Sequence, residues 1–243
     1  MKKFLSVVLI LALAVSALGQ EKAKVIPYLK AEELPDAVVF LPPPPEDGSP
    51  KFALDEAQYL WGKTQREGER GLRARREGTT NVDSMAVMFS GPFGMELSEA
   101  RTPKTMKLLR RSILTFRLAC SAPKATYMRL RPFVFYREGT LIPEDEEHER
   151  KTGSYPSGHT VRGWGMALVL AALNPEMQDE ILVAGYEWGQ SRIIAGYHWQ
   201  SDVDASRLLS SATFARLQAC EEYLEDFREA QEELRALGES EKF

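Results

Sequence analysis

Apolar residues in this chain recur at helical spacing between proline-marked starts, and that pattern leaves little room for any other regular structure. After Thr102-Pro103, the residues Met106, Leu109, Ile113, Phe116 and Cys120 share one helical face, and a proline in the first turn gives up no needed hydrogen bond. Pro123 opens another helix that carries Lys124. Ser157 is placed to cap an apolar helix over Trp164 to Leu173, and Asn174-Pro175 starts one that runs through Gln190. Helix formers and charges fill Leu54 to Glu77, and a last helical region spans Asp202 to Leu237. Period-two alternation with hairpin turns is almost missing and no repeat is found. The expected fold is all-α, a single-domain antiparallel helix bundle.

Three stretches depart from helical patterning. Gln20 to Pro50, with Leu41-Pro-Pro-Pro-Pro45 and Asp47-Gly-Ser-Pro50, favours extended and turn conformations and reads as an irregular Pro-rich N-terminal arm lying on the body. Gly78 to Gly94 holds turn residues around a short apolar piece, Met85 to Phe89, and reads as a loop near the pocket. Glu144 to Lys151 reads as a charged loop, with His148 exposed among its acids.

The first residues form a separate unit. Met1-Lys2-Lys3 is a positive start, Phe4 to Leu18 is apolar, and Ala17-Leu18-Gly19 offers a cleavage site just before Gln20, the pattern of a bacterial secretory signal. The apolar run is shorter than the ~20 residues of a membrane span. The expected division is therefore a signal peptide over 1–19, an arm over 20–50 and an all-helical domain over 51–243, in a periplasmic or secreted protein with no stable membrane insertion. Without Lys2 and Lys3, 29 basic residues face 35 acidic ones, a formal charge of −6 that argues against nucleic acid as a partner. Cys120 and Cys220 have either fate in an exported chain, a disulfide or two free thiols, since nothing in the sequence brings them together.

Chemistry concentrates in three short blocks. In Lys124-Ala-Thr-Tyr-Met-Arg-Leu-Arg131-Pro132 the two cations stand seven residues apart, about two turns or roughly 10 Å on one helix face, where they could grip one anion. Pro132 restricts Arg131 to extended backbone at a helix end. Pro156-Ser157-Gly158-His159 is a tight turn entering a helix, and such a turn aims backbone N–H groups outward at the positive end of the helix dipole. In Ser191-Arg192 followed by His198 and Asp202, the four-residue spacing on one helix puts the carboxylate beside the imidazole, where it can fix the tautomer, while Gly196 offers a bend that brings Arg192 and His198 to one site. Singly, each block has an ordinary reading: a solvated basic face, a plain N-cap, a surface His–Asp pair. Together they supply the fixed cations, N–H donors, nucleophile and proton source that a tetrahedral dianion requires. No HExxH or paired-cysteine spacing suggests a metal, and a serine triad lacks the G-x-S-x-G context.

The blocks K-x6-R-P, P-S-G-H and S-R-x5-H-x3-D resemble the signature of the phosphatidic acid phosphatase type 2 and vanadium haloperoxidase superfamily. The runs Gly153 to His159 and Gly189 to Asp204, with Leu41-Pro-Pro-Pro-Pro45, are similar to the bacterial class A non-specific acid phosphatases, over roughly residues 40 to 215. The resemblance implies that His198 attacks phosphorus to form a phosphohistidine, Asp202 orients it, and His159 protonates the leaving alcohol and later activates water. It implies that Lys124, Arg131, Arg192, Ser157 and the Gly158 amide hold the phosphoryl oxygens, with no cofactor and no metal. Phosphate monoesters (nucleotides, sugar and aryl phosphates) would be the substrates, with possible transfer to alcohols, a mildly acidic optimum and a homodimer or larger homo-oligomer. Two departures stand out: Asp83-Ser84 where a glycine pair is expected at the pocket lip, and Ala195 where some relatives carry cysteine. A vanadate-dependent haloperoxidase shares the anion cage, but such enzymes are much longer. Lipid phosphatases of the superfamily are multi-spanning, whereas the longest apolar run after the signal is Met166 to Leu173. A phosphate-binding protein without turnover would need the cations and not the histidines.

Overall fold

Helix starts in this protein are set by caps that the sequence spells out. In the computed structural model, which describes residues 25–240, the Ser49 side chain accepts from the Phe52 amide and Pro50 opens α2 (Pro50–Thr64). Before it, α1 (Ala37–Phe40) and a 3-10 turn at Ala31–Glu33 interrupt an otherwise irregular segment. That segment is tied down by Tyr28, whose amide donates to Thr115 Oγ1 and whose hydroxyl donates to Asp226 at 2.6 Å. The signal sequence expected over 1–19 lies outside the described residues.

The chain continues through α3 (Gly68–Arg76), α4 (Val82–Phe93), α5 (Pro103–Ala119), α6 (Ser121–Tyr127), α7 (Pro132–Phe135), α8 (Glu146–Glu149), α9 (Gly158–Leu173), α10 (Gln178–Ala195), α11 (Gln200–Leu217) and α12 (Glu221–Ser240). No strand occurs among the described residues, and the fold is a single all-α domain. Helix α9 is the centre of the bundle, packed by α10, α11 and α5 around Val161, Met166, Val169, Leu170, Phe116 and Trp188. Glycines let these helices approach. An added methyl at Gly165 would meet Phe116 ring carbons at 2.6–2.8 Å, and one at Gly163 would meet Trp188 at 2.4 Å. Gly165→Ala is therefore expected to destabilise by about 1–3 kcal/mol, the usual cost of overpacking, measured as a lower urea midpoint at unchanged slope.

Several expectations are corrected here. Residues 78–94 are not a loop: Asn81 caps α4 by accepting from the Ser84 amide at 2.9 Å, Gly94 ends it at φ +80°, and Met85, Ala86, Phe89 and Phe93 are buried. The turn residues at its two ends are its caps. Leu54 to Glu77 divides into α2 and α3 at Gln65, and Asp202 to Leu237 divides at Gln218 between α11 and α12. Helix α9 begins at Gly158 and not at Trp164, because Ser157 caps it directly. Residues 143–149 form a 3-10 turn and α8, with His148 exposed. Of the two fates left open for Cys120 and Cys220, the structure holds two free thiols. Among the described residues no helix is long and apolar enough to cross a membrane.

Candidate active site

The histidine turn is held from both sides by aromatic packing. Gly196, at φ +92°, ends α10 in the left-handed conformation that glycine adopts without strain. The next three residues, Tyr197-His198-Trp199, are all essentially buried. Tyr197 packs with Phe133, Ile142 and Ala195, and its hydroxyl donates to the Ile142 carbonyl at 2.6 Å. Trp199 packs with Phe52 and Tyr59, and its Nε1 donates to the Leu130 carbonyl at 2.8 Å. His198 sits between these two anchors with no freedom to swing away.

Its tautomer follows from its partners. The Nε2 atom lies 3.0 Å from Arg131 Nη1, which can only donate, so Nε2 carries a lone pair and the ring proton is on Nδ1. Nδ1 in turn faces Asp202 Oδ2 at 3.3 Å. The expectation that His198 and Asp202 share a helix is corrected: His198 precedes α11, and Asp202 is in its first turn, where Oδ2 also accepts from the Trp199 amide at 2.9 Å. The carboxylate thus caps the helix and orients the imidazole at once.

Lys124 and Arg131 do not share a helix face either. Met128, at φ +42°, ends α6, and Arg131 caps α7 with the extended backbone that Pro132 imposes. Tertiary folding still brings them together, since Lys124 Nζ and Arg131 Nη2 both donate to the Gly153 carbonyl, at 2.6 and 3.3 Å. Arg131 also donates to the Glu149 and Thr152 carbonyls and pairs with the Glu149 carboxylate. Burial and the neighbouring Arg131 push the Lys124 ammonium down to about 8.

At the other block, Ser157 Oγ accepts from the amide and hydroxyl of Thr160, at 3.2 and 2.9 Å. The Gly158 and His159 amides ahead of it donate to no protein acceptor among the described residues. A Cβ on Gly158 would meet nothing closer than Lys124 Cε at 3.7 Å, so the protein's own packing does not demand glycine there. His159 Nε2 lies 2.9 Å from the Gly78 carbonyl and is therefore the protonated nitrogen of the neutral ring. That carbonyl is delivered by the end of α3, where Glu77 accepts from Arg73 Nε at 2.7 Å and from the Ser191 hydroxyl.

Arg192 is the exception to all this pairing. It is fully buried beneath Gly78, stacked over the Tyr197 ring at 4.7 Å, and none of its three guanidinium nitrogens has a hydrogen-bond partner among the described residues. Burial lowers its pKa to about 10, still a cation at neutral pH. Burial, then the surrounding cations, hold both His159 and His198 well below the ordinary histidine value.

These groups surround one cleft of about 590 Å³, lined in part by Gly78, Lys124, Arg131, Gly158, His159 and His198. Ser157, Arg192 and Asp202 stand behind its wall. The lip is formed by Thr79 and Thr80, whereas Asp83 pairs with Arg110 and so does not reach it. No group of three or more metal-ligating side chains occurs among the described residues.

The matched pattern extends far beyond these residues. Residues 108–225 match the PAP2 superfamily. A non-specific acid phosphatase of Providencia stuartii is 44% identical over 211 residues, 86% of this chain and 85% of its own. The chain belongs to the class A non-specific acid phosphatases of the PAP2 superfamily. A non-specific acid phosphatase of Salmonella typhimurium is 39% identical, covering 86% of this chain and 84% of its own, and an acid phosphatase of Zymomonas mobilis is 34% identical, covering 82% and 75%. Membership makes the chain an enzyme of the phosphatase class.

Within this phosphatase, sequence reasoning missed the support behind the nucleophile candidate. Arg129, buried against Phe52 and Trp199, donates to Asp202 Oδ1 and to Asp55 Oδ2, both at 2.7 Å. Asp55 also accepts from the Ser201 amide and hydroxyl. Nothing in spacing joins Asp55 on α2 to Asp202 on α11; the one available signal was a second arginine two residues before Arg131. Breaking this clamp with Asp55→Asn is expected to lower kcat about tenfold, with a smaller change in KM and a loss of about 3 kcal/mol in stability. Steady-state kinetics beside thermal unfolding checks it; a roughly tenfold rise in KM with no change in kcat would assign Asp55 to substrate binding.

Proposed function

We propose that this chain is an exported, metal-independent phosphomonoesterase of broad specificity that works through a phosphohistidine. The observation that carries the reading is His198 itself, an imidazole with its lone pair on Nε2 inside a ring of fixed cations. A substrate dianion entering the cleft takes over the Arg131 Nη1 donor, which frees that lone pair to attack phosphorus in line. Asp202 keeps the Nδ1 proton in place and stabilises the cation that forms on the ring. Lys124, Arg131, Arg192, Ser157 and the Gly158 amide hold the phosphoryl oxygens as charge develops on them.

His159 donates Nε2–H to Gly78, so its Nδ1 is the nitrogen that gives a proton to the leaving alcohol and later takes one from water. A bound dianion raises the depressed His159 pKa toward the protonated form this step needs. Nucleotides, sugar phosphates and aryl phosphates share the phosphoryl group that these residues hold, and an alcohol replacing water would give phosphotransfer. Export follows from the signal-like residues 1–19, and assembly as a homodimer or larger oligomer follows the class.

The test is release of p-nitrophenol from p-nitrophenyl phosphate in EDTA, with and without vanadate. Turnover that survives EDTA and is stopped by vanadate is expected, with kcat/KM highest on the acid side of pH 6.5, since both histidines titrate below their ordinary value. KM is expected to climb as pH rises through about 8, where Lys124 loses its charge. A flat KM to pH 10, or loss of activity in EDTA, would overturn this reading.

A further inference from the structure

The cleft carries more positive charge than one phosphoryl group uses. Beyond the cations already described, its wall includes Arg162 and Arg117. Arg162 stands on α9 three residues past His159, and its guanidinium donates only to the Gly158 carbonyl of its own helix, at 3.3 Å. Neither it nor Arg117 has an ion-pair partner among the described residues. Elsewhere Arg70, Arg73, Arg75, Arg110, Arg111 and Arg150 are each paired with a carboxylate, as expected in a chain with more acids than bases.

Their placement is specific. The point where Gly158 would carry a Cβ has Lys124 Cε at 3.7 Å and Arg162 Nη1 at 3.8 Å, so the two cations flank the same turn. Arg162 is close enough to depress His159, and Arg117 close enough to depress Arg162. The cations therefore run from Arg131 beside His198, with Arg192 behind the wall, past Lys124, to Arg162 and the exposed Arg117. Of the acids lining the cleft, Glu149 is engaged by Arg131, although its field reaches Arg162, and Asp145 acts on Arg192 and Tyr197. Arg162 and Arg117 thus lie on the side of the proton donor, where a leaving group must sit.

We propose that Arg162 and Arg117 form a second anion subsite that holds a phosphoryl group carried by the leaving group, making diphosphates such as inorganic pyrophosphate and nucleoside diphosphates favoured substrates over simple aryl esters. The inference rests on the roles proposed for His198 and His159. His198 Nε2 bonds to the terminal phosphorus as the bridging P–O bond breaks. The bridging oxygen keeps the electron pair, leaves on the second phosphate and takes its proton from His159. Water then releases the first phosphate from His198.

The experiment compares kcat/KM for pyrophosphate and phenyl phosphate, in EDTA, for the wild type, Arg162→Gln, Arg117→Gln, the double variant and Arg162→Lys. The pyrophosphate to phenyl phosphate ratio is expected to fall about 10- to 100-fold in the double variant, mainly through KM for pyrophosphate, and to recover in part with lysine. A wild-type rise in Tm that is larger with pyrophosphate than with phosphate, and lost in the double variant, reads the same subsite without turnover. A ratio within twofold of wild type, or equal Tm shifts in wild type and variant, would overturn the subsite. Failure of the wild type to hydrolyse phenyl phosphate would instead overturn the phosphatase mechanism on which it rests.

Discussion

His198→Ala is expected to lower kcat by about 10⁴-fold or more while leaving phosphate binding largely intact. The size follows from removing a nucleophile that no neighbour can replace: the ring is buried between Tyr197 and Trp199, and Asp202 is committed to Arg129 and the Trp199 amide. Binding persists because the cations stay where their own partners hold them, Arg131 on the Thr152 and Gly153 carbonyls and Lys124 on Gly153. The decisive measurement is trapping with ³²P-labelled substrate and an alkaline quench. Wild type should carry an alkali-stable, acid-labile label, and His198→Ala none. His159→Ala should behave differently, retaining far more activity on p-nitrophenyl phosphate than on an alkyl phosphate, because p-nitrophenol leaves without a proton. It should also accumulate label, since the water that clears the intermediate loses its base. Label that persists in His198→Ala would place the nucleophile elsewhere.

Arg192→Met is expected to separate function from stability in opposite directions. A buried guanidinium with no hydrogen-bond partner on any nitrogen is an uncompensated charge, and an apolar chain of similar length over the Tyr197 ring removes that cost. The variant should therefore be more stable than wild type without ligand, by about 1–3 kcal/mol. Activity should fall about 10³-fold, because the charge that destabilises the empty fold is the one that meets the phosphoryl oxygens in the transition state. Phosphate at about a hundred times its dissociation constant should stabilise wild type by about 2.7 kcal/mol, and the variant much less. Thermal unfolding with and without phosphate reads both effects. A variant less stable than wild type, with a full phosphate response, would make Arg192 a structural residue.

Much of the fold was legible because the cues were local. Proline at the start of α5 and the apolar spacing behind it are statements about neighbouring residues, and so is the Ser157 cap of α9. Errors fell where one local signal had two meanings. Asn81 and Gly94 mark turns, and they are also the caps of α4, whose apolar residues at one- and two-turn spacing decide between the two. Lys124 and Arg131 at seven residues satisfied helical spacing, but a left-handed Met128 between them leaves no continuous helix.

What the sequence determined by itself was the class of fold, the three blocks and the side chains in them, since helical periodicity and a spaced signature are properties of order along the chain. Only the tertiary structure decided how the blocks face one another. Gly153, far from both in sequence, supplies the carbonyl on which Lys124 and Arg131 converge; Gly78 supplies the one that fixes His159; Arg131 itself fixes the lone pair of His198. The same holds for the Asp55–Arg129–Asp202 clamp and for Arg192, whose guanidinium finds no hydrogen-bond partner among the described residues. Hydrogen-bond partnership and burial are set by what packs across space, and a linear pattern names the groups without saying which of them will be left with a charge to offer.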